Sequence, residues 1–257
     1  MQFGCCSAAD TAGAVKTAGY EYLECTVTSL LPGEDDAAFA PVLAAYLALP
    51  LPTPVFNVFL PRDLKIVGPV VDDNRIKAYV ERAIARVHLL GGKIIIFGSG
   101  GSRGIPDGFS RSEAMQQIVA FLHTVAGVAD GSGVTVSIEA LNRGECNVIN
   151  SVAEAAELAR QVNRPSISAM ADLYHMVLES EPLDHLLTYK DHIRHIHVAD
   201  TDRLAPGTGS YPYAEFAHLL HQINYNNRIS VECRWTDFAA EATPALQYMR
   251  KVFAQRG

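Results

Sequence analysis

One pattern of elements occurs eight times along the chain: a short run of apolar residues, a polar or glycine-rich loop, and a segment with apolar residues at helical spacing. The predicted strands are Gln2–Cys6, Tyr20–Val27, Val55–Phe59, Lys93–Phe97, Thr135–Ala140, Ser166–Asp172, Ile193–Val198 and Arg228–Glu232. Strands joined by helical crossovers are parallel, and such crossovers are right-handed. Eight units in 257 residues therefore favour an α/β fold, a single (β/α)8 TIM barrel over residues 1–257. An open, doubly wound sheet is the alternative that strand counting does not exclude.

Several predicted helices carry their own start and stop signals. One of them has its apolar face at Ile76, Tyr79, Val80, Ala83, Ile84 and Val87. Gly91-Gly92 supplies its stop, and Ser110…Glu113 and Ser151…Glu154 have the spacing of capping boxes that open two later helices. The last helix is predicted from about Phe238 to Arg256.

Composition argues against several classes of function. The chain has 21 Lys and Arg against 28 Asp and Glu, a formal net charge of −7, and no basic run, so a nucleic-acid partner is not expected. It has no apolar window approaching about 18 residues and no export signal, so we expect a cytoplasmic protein without a membrane partner. Its five cysteines lack the CxxC spacing of thiolate zinc sites.

Four consecutive predicted strands end in residues that can bind a metal: Glu139, Asp172, His197 and Glu232. The carboxyl ends of the strands of a barrel meet at one mouth, where catalytic side chains lie. A lone glutamate at a strand end is usually a solvated surface residue, but converging carboxylates repel one another unless a cation holds them. Three carboxylates and one imidazole without a thiolate suit one Mn²⁺, Mg²⁺ or Co²⁺ ion, with Zn²⁺ as a further candidate.

Two carboxylates beside one metal suit chemistry at the carbon next to a carbonyl group. A proton on that carbon is feebly acidic, and a divalent cation that stabilises the enolate oxygen makes its removal feasible near neutral pH. One carboxylate then takes the proton as general base. A second carboxylate on the opposite face can return a proton and invert the carbon, which is an epimerisation.

The same residues lie in sequence words that resemble a known family. The words are Ile138–Glu145, Asp172–Met176, His195–Arg203, Pro206–Ser210 and Val231-Glu232. In them the chain resembles the sugar phosphate isomerase/epimerase family of xylose-isomerase-like TIM barrels, and the pattern is similar to that of ketose 3-epimerases of the D-tagatose/D-psicose type.

This resemblance implies specific roles. Glu139, Asp172, His197 and Glu232 would bind the metal, and Glu139 and Glu232 would also exchange the proton on opposite faces of a keto sugar through a cis-enediolate. Substrate contacts are implied for Glu145, His175 and Arg203. The implied partner is a small-molecule sugar, and a homodimer or homotetramer is compatible with the family.

Three further positions carry weaker expectations. Glu24 ends the second predicted strand as a candidate partner for a sugar hydroxyl, and His195 should lie one layer deeper in the barrel than His197. The loop Gly98–Gly104 is expected to be a mobile active-site loop, and whether Arg103 contacts a substrate phosphate or carboxylate stays open.

Three other functions compete with an epimerase. A lyase or dehydratase acting on a keto sugar or an inosose would begin with the same proton abstraction. Apurinic endonucleases share the Glu-Asp-His-Glu core but add histidines at earlier strand ends, where this chain has Asn57 and Phe97. A sugar-binding module without catalysis is the third alternative.

Overall fold

The computed structural model describes residues 1–254 and shows a closed barrel of eight parallel strands. The strands are β1 (Gln2–Cys6), β2 (Tyr22–Thr26), β3 (Val55–Asn57), β4 (Ile94–Phe97), β5 (Thr135–Ile138), β6 (Ile167–Asp172), β7 (Ile193–Val198) and β8 (Arg228–Val231). Each strand pairs with the next, and β8 pairs with β1. The barrel is therefore confirmed, and the open sheet is excluded.

The helices lie between the strands and beyond β8. They are α1 (Ala12–Ala18), α2 (Asp36–Leu47), α3 (Asp73–Leu89), α4 (Gly100–Arg103), α5 (Arg111–Ala129), α6 (Val152–Val162), α7 (Leu173–Leu178), α8 (His185–Thr188), α9 (Tyr213–Gln222) and α10 (Phe238–Ala254). The predicted end of α10 at Arg256 lies outside the described residues. Across residues 1–254, no helix is both long and apolar enough to cross a bilayer.

The predicted caps form only in part. Ser110 and Ser151 accept the backbone N–H groups of Glu113 and Glu154 at 3.3 and 3.1 Å, which is the serine half of each capping box. Glu154 turns instead to the N–H of Asn150 at 2.6 Å. Both helices therefore begin where the sequence predicts, although the second half of the box at Ser151 is replaced by a neighbouring contact.

Several strands are shorter than predicted. Val58 has a φ of 46°, a left-handed conformation in which a β-branched residue cannot continue a strand, so β3 ends at Asn57. Strands β5 and β8 end immediately before Glu139 and Glu232. The N–H groups of these glutamates still donate to Phe97 O and Val198 O at 3.2 and 3.0 Å. Both residues therefore stay fixed to a neighbouring strand.

The core has two parts. The larger part lies between the strands and the surrounding helices. The smaller cluster comprises Tyr22, Val55, Ile94, Ile96 and Met170, all on strands, and it fills the barrel interior. A Cβ atom at Gly4 would overlap the Tyr22 ring, so the glycine lets this ring lie across the interior. This packed interior supports the side chains that project at the mouth.

Candidate metal and substrate site

The four predicted metal ligands come together at the carboxyl end of the barrel. One ligand atom from each of Glu139, Asp172, His197 and Glu232 lies within 4.8 Å of the others. The first three residues are buried, and the Glu232 side chain is 23% exposed. Asp172 is the last residue of β6 and His197 lies in β7, so four neighbouring strands supply one side chain each.

His197 presents one ring nitrogen to this group. Its Nδ1 lies 3.2 Å from Glu139 Oε1 and 3.6 Å from Glu232 Oε2. The other nitrogen, Nε2, points away from the mouth and contacts Glu24 Oε1 at 2.8 Å. The imidazole is therefore oriented to offer Nδ1 to whatever binds among the carboxylates.

Gly98 makes room for the Glu139 carboxylate. A Cβ atom at this position would overlap Glu139 Oε2, and any side chain there would push the carboxylate out of the group. The first glycine of the segment after β4 is therefore needed for steric reasons.

The two glutamates differ in their electrostatic surroundings. Burial raises the pKa of Glu139, and the nearby Glu232 charge raises it further. Burial also opposes ionisation of Glu232, but His197 and Arg203 outweigh that effect and lower its pKa to about 2. Two neighbouring carboxyl groups whose pKa values are moved apart can divide the roles of acid and base.

Arg203 links the predicted metal ligand Glu232 to the predicted substrate contact Glu145. Its guanidinium donates to Glu232 Oε2 at 2.6 Å and to Glu145 Oε1 at 2.8 Å. It also lies over the Tyr174 ring, 4.9 Å from the centroid, a cation–π geometry. Arg203 and Glu145 therefore both border the metal-ligand group, as the resemblance implies.

A tight turn holds Arg203 in place. Asp202 and Arg203 have φ values of 59° and 61°, which cost free energy for residues with a side chain. Asp200, buried at the base of this turn, accepts the N–H groups of Gly207 and Tyr211 at 2.9 and 3.1 Å, and its backbone O accepts that of Arg203 at 2.9 Å. These bonds fix the turn, a role for Asp200 that sequence reasoning missed.

His175 offers a hydrogen-bond donor to the site. Its Nδ1 accepts from the backbone N–H of Asn142 at 3.2 Å and lies 2.9 Å from Asn142 Nδ2. A neutral ring with an acceptor at Nδ1 carries its proton on Nε2. Nε2 is buried without a hydrogen-bond partner in residues 1–254 and lies 3.7 Å from Asp172 Oδ2. This N–H can donate to a substrate oxygen, and Asn142 sets its tautomer.

Glu24 lies behind His197 rather than in the substrate space. Its side chain is fully buried, and its carboxylate contacts His197, His195 and Ser230 at 2.8, 3.0 and 2.5 Å. Burial opposes its ionisation, but the two histidines outweigh burial and hold the pKa of Glu24 well below its ordinary value. The expectation of a sugar-hydroxyl partner is wrong for Glu24, whereas His195 is the buried, hydrogen-bonded residue that strand parity predicts.

Arg103 is also buried, which removes it from the substrate. Part of the predicted mobile loop forms helix α4, and the Arg103 side chain turns inward beneath it with no exposed surface. Its guanidinium donates to Phe97 O and Glu139 O, both at 2.7 Å. Arg103 therefore supports the backbone that carries Glu139, and a contact with a substrate phosphate or carboxylate is excluded in this geometry.

The donor set fits one divalent cation. Three carboxylates face one imidazole nitrogen, and Arg203 reaches one of these carboxylates, that of Glu232. Buried like charges at this separation repel each other without a cation. Oxygen-rich ligand sets with imidazole and no thiolate suit Mn²⁺, Mg²⁺ or Co²⁺.

Several known proteins match part of this sequence. A D-psicose 3-epimerase from Ruminiclostridium cellulolyticum is 30% identical over 118 residues, which cover 46% of this chain and 40% of the relative. A ketose 3-epimerase from Arthrobacter globiformis is 33% identical over 109 residues, covering 42% and 38%. The matched segments thus span about two fifths of the length of these relatives.

The fold likeness extends over the whole chain. The crystal structure of D-psicose 3-epimerase with D-tagatose from Clostridium cellulolyticum superposes with a TM-score of 0.86 at 22% identity, covering 98% of this chain and 99% of that one. The profile of the xylose isomerase-like TIM barrel family matches residues 12–252. This chain therefore belongs to the xylose isomerase-like TIM barrel family.

Proposed function

We propose that this protein is a divalent-metal-dependent epimerase of keto sugars, of the ketose 3-epimerase or sugar isomerase type. One observation carries the proposal. Glu139 and Glu232, at the ends of β5 and β8, lie across the mouth from each other, and both approach the same nitrogen, Nδ1 of His197. A single base suffices for abstraction, whereas two carboxyl groups approaching from different sides can also return a proton to the other face.

The metal would be held by Glu139, Asp172, His197 and Glu232. When bound, it supplies a Lewis acid that stabilises negative charge on the oxygens of the substrate. The carbon-bound proton next to the carbonyl passes to one glutamate, the substrate becomes a cis-enediolate, and the other glutamate delivers a proton to the opposite face. One C–H bond breaks and one forms, so the substrate and product have the same mass.

The neighbouring side chains supply the polar contacts that a keto sugar needs. The Nε2–H group of His175 donates to a substrate oxygen, because its own protein partner is absent within residues 1–254. Glu145 accepts from a hydroxyl group, and Arg203 keeps Glu232 ionised and oriented. These contacts hold the reacting carbon between the two glutamates.

Solvent deuterium should enter the position next to the carbonyl when the protein is incubated with its keto sugar in D₂O. NMR of a panel of free and phosphorylated ketoses with Mn²⁺-, Mg²⁺- or Co²⁺-loaded protein measures this exchange, with paramagnetic ions removed before the spectra. We expect exchange to stop after chelation and to return on adding metal, because enolate formation then loses its Lewis acid. Full exchange in chelated protein would contradict the proposal.

A lyase or dehydratase is the second candidate, since the same proton abstraction prepares a β-elimination. Mass spectrometry of the products separates the two reactions. An epimerase gives a product of unchanged mass apart from the deuterium incorporated. Loss of water from the sugar or inosose would assign the site to elimination instead.

Affinity for Mn²⁺ should rise with pH. Burial opposes protonation of His197, but Glu24 and other nearby acidic groups outweigh burial and hold the pKa of His197 well above its ordinary value. Metal binding requires an unprotonated ligand nitrogen, so protons compete with the metal and affinity falls as pH falls. Isothermal titration calorimetry between about pH 6 and 9, in buffers of different ionisation enthalpy, should show proton release on binding. An affinity independent of pH would contradict this expectation.

A further inference from the structure

Glu24 is the centre of a buried hydrogen-bond network beneath the metal-ligand group. Oε1 contacts His197 Nε2 at 2.8 Å, and Oε2 contacts His195 Nε2 and Ser230 Oγ at 3.0 and 2.5 Å. Ser230 Oγ also lies 2.8 Å from the Tyr22 hydroxyl. All five side chains come from β2, β7 and β8, so barrel closure brings together residues far apart in the chain.

The hydrogen atoms in this network have one consistent arrangement. An ionised carboxylate has no hydrogen to donate, so each of its three partners must donate to it. Ser230 gives its hydroxyl hydrogen to Glu24 and accepts that of Tyr22. His195 and His197 must then both carry a hydrogen on Nε2. A neutral His197 in this tautomer has a free lone pair on Nδ1.

In the neutral ring that metal binding requires, this lone pair points into the space among the carboxylates, where a cation would accept it. His197 Nδ1 lies 3.2 Å from Glu139 Oε1 and 3.6 Å from Glu232 Oε2. The opposite tautomer would place a hydrogen on Nδ1 and two lone pairs, those of Nε2 and of a Glu24 oxygen, face to face at 2.8 Å in a fully buried space. Because buried acceptors that face each other repel, Glu24 disfavours this tautomer.

Cys6, Glu24 and His197 could in principle form a second metal site, since their ligand atoms also lie within 4.8 Å of each other. A metal there would need His197 Nε2 and a Glu24 oxygen, and these two atoms already bond to each other. It would also require a Cys6 thiolate, whereas burial raises the pKa of this thiol well above its usual value. The network therefore acts on His197 through its Nε2 atom and does not bind a second metal.

We infer that Glu24 is a positioning residue that holds His197 with its hydrogen on Nε2 and its Nδ1 directed at Glu139 and Glu232. The inference rests on the proposed function in one respect, namely that a metal is bound on the Nδ1 side. Carboxylates hydrogen-bonded to a ligating histidine fix the ring and raise its basicity, and their loss typically costs 10- to 100-fold in metal affinity.

A measurement on the unaltered protein tests the tautomer directly. In full-length protein with ¹⁵N-labelled histidine and bound Zn²⁺, long-range ¹H–¹⁵N NMR identifies which nitrogen of His197 carries hydrogen and which contacts the metal. We expect hydrogen on Nε2 and the metal at Nδ1. Metal at Nε2 would overturn the inference, and Zn²⁺ held by Cys6, Glu24 and His197 would do so as well.

Substitution at Glu24 tests the energetic consequence. The amide of Glu24→Gln brings N–H groups towards partners that themselves donate, so one histidine must change tautomer or lose its bond. We expect Mn²⁺ affinity, measured by calorimetry, to fall about 10- to 100-fold. Ser230→Ala is the matched control, because it removes one bond to Glu24 and leaves both histidines in contact, and its affinity should fall less than that of Glu24→Gln.

The outcomes separate this inference from the proposed function. Equal Mn²⁺ affinity in folded Glu24→Gln and wild-type protein would overturn the inference even if sugars are epimerised. A wild-type protein that binds metal through His197 Nδ1 but exchanges no sugar proton would overturn the function alone. If Glu24→Gln does not fold, the NMR result on the wild-type protein still decides the tautomer. Failure of the wild-type protein to bind Mn²⁺ or Zn²⁺ would overturn both.

Discussion

Glu232→Gln should lower kcat for epimerisation by about 10²- to 10⁴-fold, the range that a positioned general acid or base contributes. The amide keeps the size of the side chain but neither takes up nor delivers a proton at the substrate carbon. It also offers a weaker ligand to the metal than the carboxylate that Arg203 now holds ionised at 2.6 Å. Steady-state kinetics with saturating Mn²⁺ measure the loss of turnover, and circular dichroism checks that the variant is folded.

Deuterium exchange in this variant distinguishes two bases from one. If Glu139 serves one face of the sugar and Glu232 the other, Glu139 can still exchange the proton of one of the two epimers in Glu232→Gln. The variant should therefore lose epimerisation more severely than it loses deuterium exchange from that epimer. Glu157→Gln is a suitable control, because Glu157 lies on α6 with its side chain 57% exposed and pairs only locally with Arg160. An unchanged kcat in Glu232→Gln would show that Glu232 does not transfer the proton.

The four candidate ligands were predictable because each depends on local sequence rules. A buried parallel strand is nearly all apolar, so the polar residue where it stops is conspicuous, and strand parity gives its direction. Glu139 and Glu232 lie at the mouth as predicted, although β5 and β8 each end at the residue before them. Their backbone N–H groups still bond to neighbouring strands, so both residues continue the path of the strand and its alternation of side chains.

The supporting residues were not predictable, because their partners are distant in sequence. Glu24 and His197 are separated by 173 positions, and only the register of the closed barrel brings them together. Parity predicts that His195 points inward, but it does not identify Glu24 as the partner. Asp200 and Asn142 act through backbone N–H groups or a ring nitrogen in loops, where periodicity carries no information.

The sequence left the role of Arg103 open for a different reason. Arginine in a glycine-rich loop is usually exposed, so a loop beside a predicted site suggests a substrate contact. The structure instead buries the side chain, where it donates to two carbonyl oxygens and lies 5.3 Å from the centroid of the Phe97 ring. Both carbonyls lie at the carboxyl ends of β4 and β5, and Phe97 O also accepts the N–H of Glu139 at 3.2 Å. The guanidinium thus ties the ends of the two strands together, as a second donor to Phe97 O and as a donor to Glu139 O.

Arg103→Met should therefore lower the free energy of unfolding by about 3–5 kcal/mol. The substitution relieves the cost of burying a charge, but Glu139 O loses the donor that it has at 2.7 Å, and Phe97 O keeps only the longer bond from the N–H of Glu139 at 3.2 Å in place of two. A hydrogen bond from a charged group contributes about 1.5–3 kcal/mol, and two are lost. Arg103→Lys should be intermediate, because one ammonium group does not span both carbonyls as the planar guanidinium does.

Urea unfolding with chelator present measures this effect without the added stability that a bound metal gives. Arg111→Met is the matched control: Arg111 also donates to a carbonyl, that of Asn147 at 3.0 Å, but at an exposed position, so the change in its free energy of unfolding should stay within about 0.5 kcal/mol.

Folded Arg103→Met should also bind Mn²⁺ more weakly, since the backbone of Glu139 loses its hydrogen bond from Arg103. Unchanged stability together with weaker binding of anionic sugars would contradict this prediction and assign Arg103 to the substrate, and the inward guanidinium would then have to turn outward when substrate binds.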